Sequence, residues 1–152
     1  MAKIVLISCV SQKLAHKAKA RDLYRSPLFR YSLEYAEKKL RPDKIFILSA
    51  LHHVVELDQE IEPYDVTLSY VPPAKQVDNP SLKVLSKQEA IAWGRIVLQQ
   101  LAQKANLQND EFIILAGKSY VEPIKHGIKY LKEPLNGYRQ GERVSILKQW
   151  LQ

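Results

Sequence analysis

The sequence predicts an α/β protein of three layers, with helices on both faces of a mostly parallel sheet of about four strands. Three observations predict it. Short apolar, β-branched runs recur at Lys3–Ser8 (KIVLIS), Lys44–Ala50 (KIFILSA) and Glu111–Gly117 (EFIILAG). These runs barely alternate, the pattern of strands covered on both faces. Helix-start signals stand between them, so strands and helices alternate along the chain.

A polar, lysine-rich loop follows the first strand (CVSQKLAHKAKARDLYRS). Ser26 then reads as an N-cap with Pro27 at the first helical position. The spacing predicts a helix to about Leu40 with Leu28, Tyr31, Tyr35 and Leu40 turned inward, ended by Arg41-Pro42-Asp43. After the second strand, VPPAKQVDNPSLKVLS carries three prolines and reads as a surface loop. Ser86 and Glu89 form a capping box that opens a second long helix to about Ala105. Beyond the third strand, KSYVEPIKHG is a short helix interrupted or begun late by Pro123, and IKYLKEPL a short fourth strand. The tail GERVSILKQWL has apolar residues at helical spacing (Val144, Leu147, Trp150, Leu151) and is expected to pack back on the sheet.

The 152 residues read as one domain, residues 1–152, a length that removes ~70% of the unfolded surface from water. Net charge is +7, unevenly placed: from Ile45 to Ala74 there is no lysine or arginine but five acids, Glu56, Asp58, Glu60, Glu62 and Asp65. Two basic flanks around an acidic centre suit a polyanion-binding surface enclosing a chemically different pocket. Cys9 is the sole cysteine, which excludes an internal disulfide and a four-cysteine zinc site. KIVLIS is too short for a signal peptide's hydrophobic region, and no apolar run reaches the roughly 18 residues of a membrane span. The expectation is a cytoplasmic protein with no membrane partner. Neither a P-loop nor a metal-ligand spacing is present, so no cofactor and no metal are expected.

In parallel α/β sheets ligands bind beyond the carboxyl ends of the strands. That rule gathers the loops Cys9–Asp22, Ala50–Asp65, Gly117–Tyr120 and Pro134–Gly141 around one cleft. His52 and His53 follow a strand, so on extended backbone they point to opposite sides and at most one faces the cleft. The alternative for each is a histidine bonded to backbone. Pro63 stiffens the turn that presents Tyr64, with a stacking face and a hydroxyl, and Asp65, with a negative charge or a base; the alternative for Asp65 is an Asx-type turn. Glu56, Asp58 and Glu60 alternate as a solvated edge. Lys13 and the amides around Cys9 and Ser11 are placed to receive a phosphate. Cys9 is either a thiolate beside Lys13 or a small buried apolar residue. Gly117 admits close approach of a ligand or helix. Ser49, Tyr120 and Asn136 complete the substrate-binding set from the other strand ends.

Taken together, SCVSQK, ARDLYRSPLFR, ILSALHHVVELDQEIEPYDVTL, LAGKSY and PLNGYRQGERVSILKQWL resemble an uncharacterised family of small bacterial, archaeal and phage proteins. The resemblance spans nearly the whole chain. One departure stands out: His53 occupies a position where that pattern has glycine. More distantly, the Cys9–Lys13 loop and the segment ending in Tyr64-Asp65 are similar to the uracil-DNA-glycosylase-like domain of archaeosine synthases. The serine-alanine turn followed by proline–tyrosine is similar to the peroxide-stress DNA-binding family. These resemblances imply a uracil-DNA-glycosylase-like fold and a nucleic-acid or nucleotide partner, DNA ahead of RNA.

Cleaving an N-glycosidic bond leaves positive charge on the sugar, which Asp65 would offset, and negative charge on the base, which His52 or Lys13 would neutralise. Tyr24 or Tyr64 would stack on an extruded base. The expectation is glycosylase-like or modified-base chemistry with Asp65, His52 and Lys13 as catalytic residues. Its rivals are a non-catalytic DNA-binding stress or defence protein and a small-molecule nucleotide hydrolase.

Overall fold

The computed structural model describes residues 1–10 and 13–152; Ser11, expected in the substrate-binding set, lies outside the described residues. In chain order the elements are β1 (Lys3–Ser8), β2 (Ala18–Lys19), α1 (Ala20–Leu23), α2 (Pro27–Tyr35), β3 (Lys44–Ser49), β4 (His53–Glu56), β5 (Glu60–Ile61) and β6 (Val66–Thr67). Then come α3 (Pro73–Asp78), β7 (Lys83–Val84), α4 (Lys87–Lys104), β8 (Glu111–Leu115), α5 (Lys118–Val121), β9 (Tyr130–Lys132) and α6 (Gln140–Leu151).

The central sheet has five strands in the order β4-β3-β1-β8-β9, all parallel except β4. Leu6, Ile47 and Ile114, expected in adjacent buried strands, pair as expected (Leu6 with Ile114, Ile7 with Ile47) and are buried. Parallel crossovers are right-handed in nearly all proteins. Because β3 and β8 lie on opposite sides of β1, the helices α2 and α4 that lead into them cover opposite faces. That explains why Ile4, Val5, Leu6 and Ile7 are all buried despite alternating direction.

The fifth strand corrects the expected four. His53 takes a left-handed conformation (φ 68°), so the chain doubles back after Ser49 and β4 pairs antiparallel with β3, Ser49 opposite His53. The start of the acidic window is therefore a sheet edge. Gln100 of α4 covers this edge, its Oε1 accepting the Val54 N–H at 2.9 Å.

Ser26 caps α2, its Oγ accepting the Phe29 N–H at 3.2 Å, and the helix widens into a π-helical turn over Ala36–Leu40. Its inward face differs from the expected one. Phe29, Ser32, Leu33 and Ala36 are buried, while Leu28, Tyr31, Tyr35 and Leu40 are half-buried on its flank. The reason lies in α6, which packs mainly along α2 rather than on the sheet, with Tyr35 against Trp150 at 5.3 Å. Two segments expected as loops hold short elements: β2 and α1 follow Cys9–Lys17, and α3 and β7 lie within residues 71–86, where β7 pairs with β6.

In α4 the capping box is present, with Ser86 Oγ accepting from Glu89 N (3.1 Å) and Glu89 Oε1 from Ser86 N (3.0 Å). Gly94 in its interior costs about 1 kcal/mol of helix propensity against alanine. It is there because a Cβ would collide with the Pro123 carbonyl. The chain after α5 thus packs directly on the α4 backbone, beside Trp93. No helix among the described residues is long and apolar enough to cross a membrane.

Candidate functional site

The carboxyl ends of β1, β3 and β8 converge on a cluster of hydroxyls. Ser49 ends β3, and its Oγ accepts the backbone N–H groups of His52 (2.9 Å) and Leu51 (3.3 Å), which closes the turn. The same Oγ donates its own hydrogen to Tyr64 Oη at 2.7 Å. Tyr64 Oη in turn lies 2.6 Å from Tyr24 Oη. Ser49 also acts on Tyr24 as a hydrogen-bonding neighbour, so the three hydroxyls form one mutually linked cluster.

Lys13 lies over this pair, its Nζ 4.4 Å from the Tyr64 ring centre and 5.8 Å from that of Tyr24. Its backbone is held by a bridge to Tyr24 and by the Leu14 N–H on Leu23 O (2.8 Å). Burial pushes the Lys13 ammonium below the usual lysine range, against the opposing pull of negative charge at Cys9 and Asp65. His52 meets the Tyr64 ring edge-on at 5.2 Å. Burial holds both His52 and His53 below the ordinary imidazole range, so each is neutral at pH 7.

A second layer backs the first. Cys9 Sγ lies 3.3 Å from Tyr120 Oη, and both residues are buried. Tyr120 Oη also accepts the Leu68 N–H (3.4 Å) and lies 3.5 Å from Thr67 Oγ1. Trp93 of α4 donates its indole N–H to Ser49 O at 2.8 Å and meets Tyr120 edge-on at 5.7 Å. Burial raises the phenols of Tyr24, Tyr64 and Tyr120 well above the ordinary tyrosine value, and negative charge at Cys9 would raise all three further. Cys9 thus lies within electrostatic reach of Lys13 and three tyrosines.

Of the expected residues, the structure brings together Cys9, Lys13, Tyr24, Ser49, His52, Tyr64 and Tyr120. Asp65 sits at the rim: its carboxylate is exposed, accepts from Ser81 Oγ at 2.9 Å, and acts on Lys13 through its field alone. Gly117 caps α5 and admits α6, since a Cβ there would stand 3.0 Å from the Arg143 guanidinium. Asn136 is exposed, its N–H bonding Glu133 O (3.0 Å), and no contact among the described residues ties it to the cluster.

Thr67 and Trp93 were not anticipated. The sequence signal for Trp93 was the helix-interior tryptophan–glycine pair, which marks a close packing site without saying against what.

Tyr24 also forms part of the wall of a cavity of about 650 Å³ whose charged lining is Arg21, Arg25 and Arg30 with Asp22, Glu34 and Glu37. Arg21 is engaged by Glu37 at 3.1 Å. Arg25 and Arg30 make no ion pair among the described residues. The acidic window runs behind this wall: Arg21 and Ala20 donate backbone N–H groups to Leu57 O (2.9 Å) and Gln59 O (2.8 Å), and β5 pairs with β2.

Fold and site define an α/β protein with a cluster of tyrosines and a lysine at the carboxyl ends of its parallel strands. The chain belongs to the family of unknown function DUF6884, whose sequence profile matches residues 4–149. That span takes in every motif of the resemblance except Trp150 and Leu151 at the end of the last. Neither the curated proteins nor the solved structures hold a match to it.

Proposed function

We propose that the protein binds nucleic acid or a nucleotide, with the base at the Tyr24–Tyr64 cluster and phosphates at Arg25 and Arg30 in the adjoining cavity. The observation that carries this reading is Tyr24 itself, one side chain shared by the hydroxyl cluster and the cavity that Arg25 and Arg30 line. A base is flat, apolar on its faces and rich in acceptors on its edge. It suits a site where the half-buried Tyr64 ring offers a stacking face and the hydroxyl cluster offers donors, with the fully buried Tyr24 ring behind it. A uracil-DNA-glycosylase-like fold is part of the proposal, supported by central strands buried on both faces with the cluster at their carboxyl ends.

The finer reading is cleavage of an N-glycosidic bond. Asp65, on the rim and within the field of Lys13, offsets charge building on the sugar, and His52 and Lys13 face the departing base. One observation favours a second reading, DNA binding without catalysis: Asp65 is exposed and held by Ser81 rather than sheltered in the cleft.

Fluorescence anisotropy with single- and double-stranded oligonucleotides across a salt series tests the binding. The log of the affinity is expected to fall by about 0.7–0.9 for each phosphate contacted, per decade of salt. Arg25→Glu and Arg30→Glu are each expected to weaken binding and flatten that slope. Absent or salt-independent binding would overturn the polyanion reading and leave a small nucleotide as the ligand.

A further inference from the structure

We propose that Lys13 is a covalent catalyst whose amine forms an imine with the aldehyde carbon of an open-chain sugar, the group exposed when deoxyribose has lost its base. The identity of the sugar rests on the nucleic-acid reading above; the reactivity of Lys13 rests on its own surroundings. Lys13 is pinned at the backbone on both sides of the α1 turn, and its Nζ is held over two aromatic rings at 4.4 and 5.8 Å. Among the described residues it makes no ion pair, so nothing blocks its nitrogen with a carboxylate. A desolvated lysine without a salt bridge is the form of the residue that attacks carbonyl carbon. Burial supports this by favouring the neutral amine.

The neighbours fit each step. The amine lone pair forms the N–C bond to the aldehyde carbon, and one N–H proton passes to the former carbonyl oxygen. A hydroxyl of the Ser49–Tyr64–Tyr24 cluster, turned toward this oxygen, supplies the hydrogen bond that polarises it beforehand. The resulting hydroxyl then takes a proton from solvent and leaves as water, giving a protonated imine. That imine carries a positive charge where the ammonium stood, over the negative face of the Tyr64 ring. No oxidant or reductant enters.

The test is reductive trapping on the full chain. Sodium cyanoborohydride is added with a duplex oligonucleotide carrying an abasic site, and separately with free 2-deoxyribose; adducts are mapped by peptide mass spectrometry. Lys13 is expected to carry the reduced adduct at about tenfold or more the level of other lysines. Lys13→Arg, which keeps a cation over the rings, abolishes it. Lys104→Arg, at a lysine lying 5.7 Å from the Phe46 ring outside the site, leaves it unchanged.

Anisotropy on the same abasic duplex separates the two claims. Duplex binding with no Lys13 adduct from either probe overturns the imine and keeps the nucleic-acid reading. A selective Lys13 adduct with deoxyribose, but no duplex binding, keeps the imine and overturns the nucleic-acid ligand. Label spread over exposed lysines and unchanged in Lys13→Arg overturns the imine outright.

Discussion

Tyr24 and Tyr64, forty residues apart in sequence, join their hydroxyls at 2.6 Å with ring planes nearly perpendicular, at 80°. This bond ties the basic first loop to the acidic window at the mouth of the sheet. Tyr64 makes both short bonds of the cluster, 2.7 Å from Ser49 Oγ and 2.6 Å from Tyr24 Oη. Tyr64→Phe therefore strips the partner from two buried hydroxyls at once and is expected to cost about 1–3 kcal/mol in urea unfolding. Tyr24→Phe removes one of these short bonds and costs less. A double-mutant cycle should give a coupling of about 0.5 kcal/mol or more; additive effects would mean that the bond contributes nothing.

The tyrosines also set an alkaline limit. Unfolded phenols ionise near the ordinary value of about 10. In the folded protein, burial keeps Tyr24, Tyr64 and Tyr120 protonated well above it. Above pH 10 the folded state binds more protons than the unfolded one, so the stability these groups contribute is complete below that pH and is lost as pH rises past it. Phenolate absorbance followed against pH should show these three ionising only as the fold is lost. Eight phenols ionising together while the circular dichroism stays native would contradict the burial.

His53 carries a cost that glycine would not. At φ 68° an ordinary side chain is strained by roughly 1–2 kcal/mol. His53→Gly is expected to raise the melting temperature by about 2–4 °C per kcal/mol recovered. His53→Ala keeps the strain and should show no rise. If both variants melt lower than wild type, the histidine side chain is stabilising the turn by more than the strain costs.

Asp65→Asn keeps shape and hydrogen bonding but deletes the charge. On the glycosidic reading, base release falls by about 10²-fold or more while DNA affinity holds or rises. If Asp65 serves only its bond to Ser81, the melting temperature drops and turnover per molecule stays the same. Base-release assays on several modified DNAs, run beside melting curves, tell these apart.

Much of this molecule was legible from residue order. The parallel strands follow from β-branched runs that lack alternation, and the two long helices from Ser26-Pro27 and the Ser86–Glu89 box, because such signals act over a few neighbouring residues. The strand-end rule then placed Cys9, Lys13, Ser49, His52 and Tyr64 together without any contact being known.

What the order could not supply is long-range. The inward face of α2 depended on α6 lying along it, and the edge strand depended on His53 adopting a left-handed conformation that its residue type disfavours. Trp93 meets Ser49 O, and Gly94 admits Pro123 onto the same helix. Asp65 stayed at the rim because Ser81, in the segment leading into β7, holds its carboxylate there. Apart from the His53 turn, which Ser49 closes locally, each of these outcomes is set by a partner more than ten residues away. Local sequence fixes which elements form, and tertiary packing decides which side chains meet at their ends.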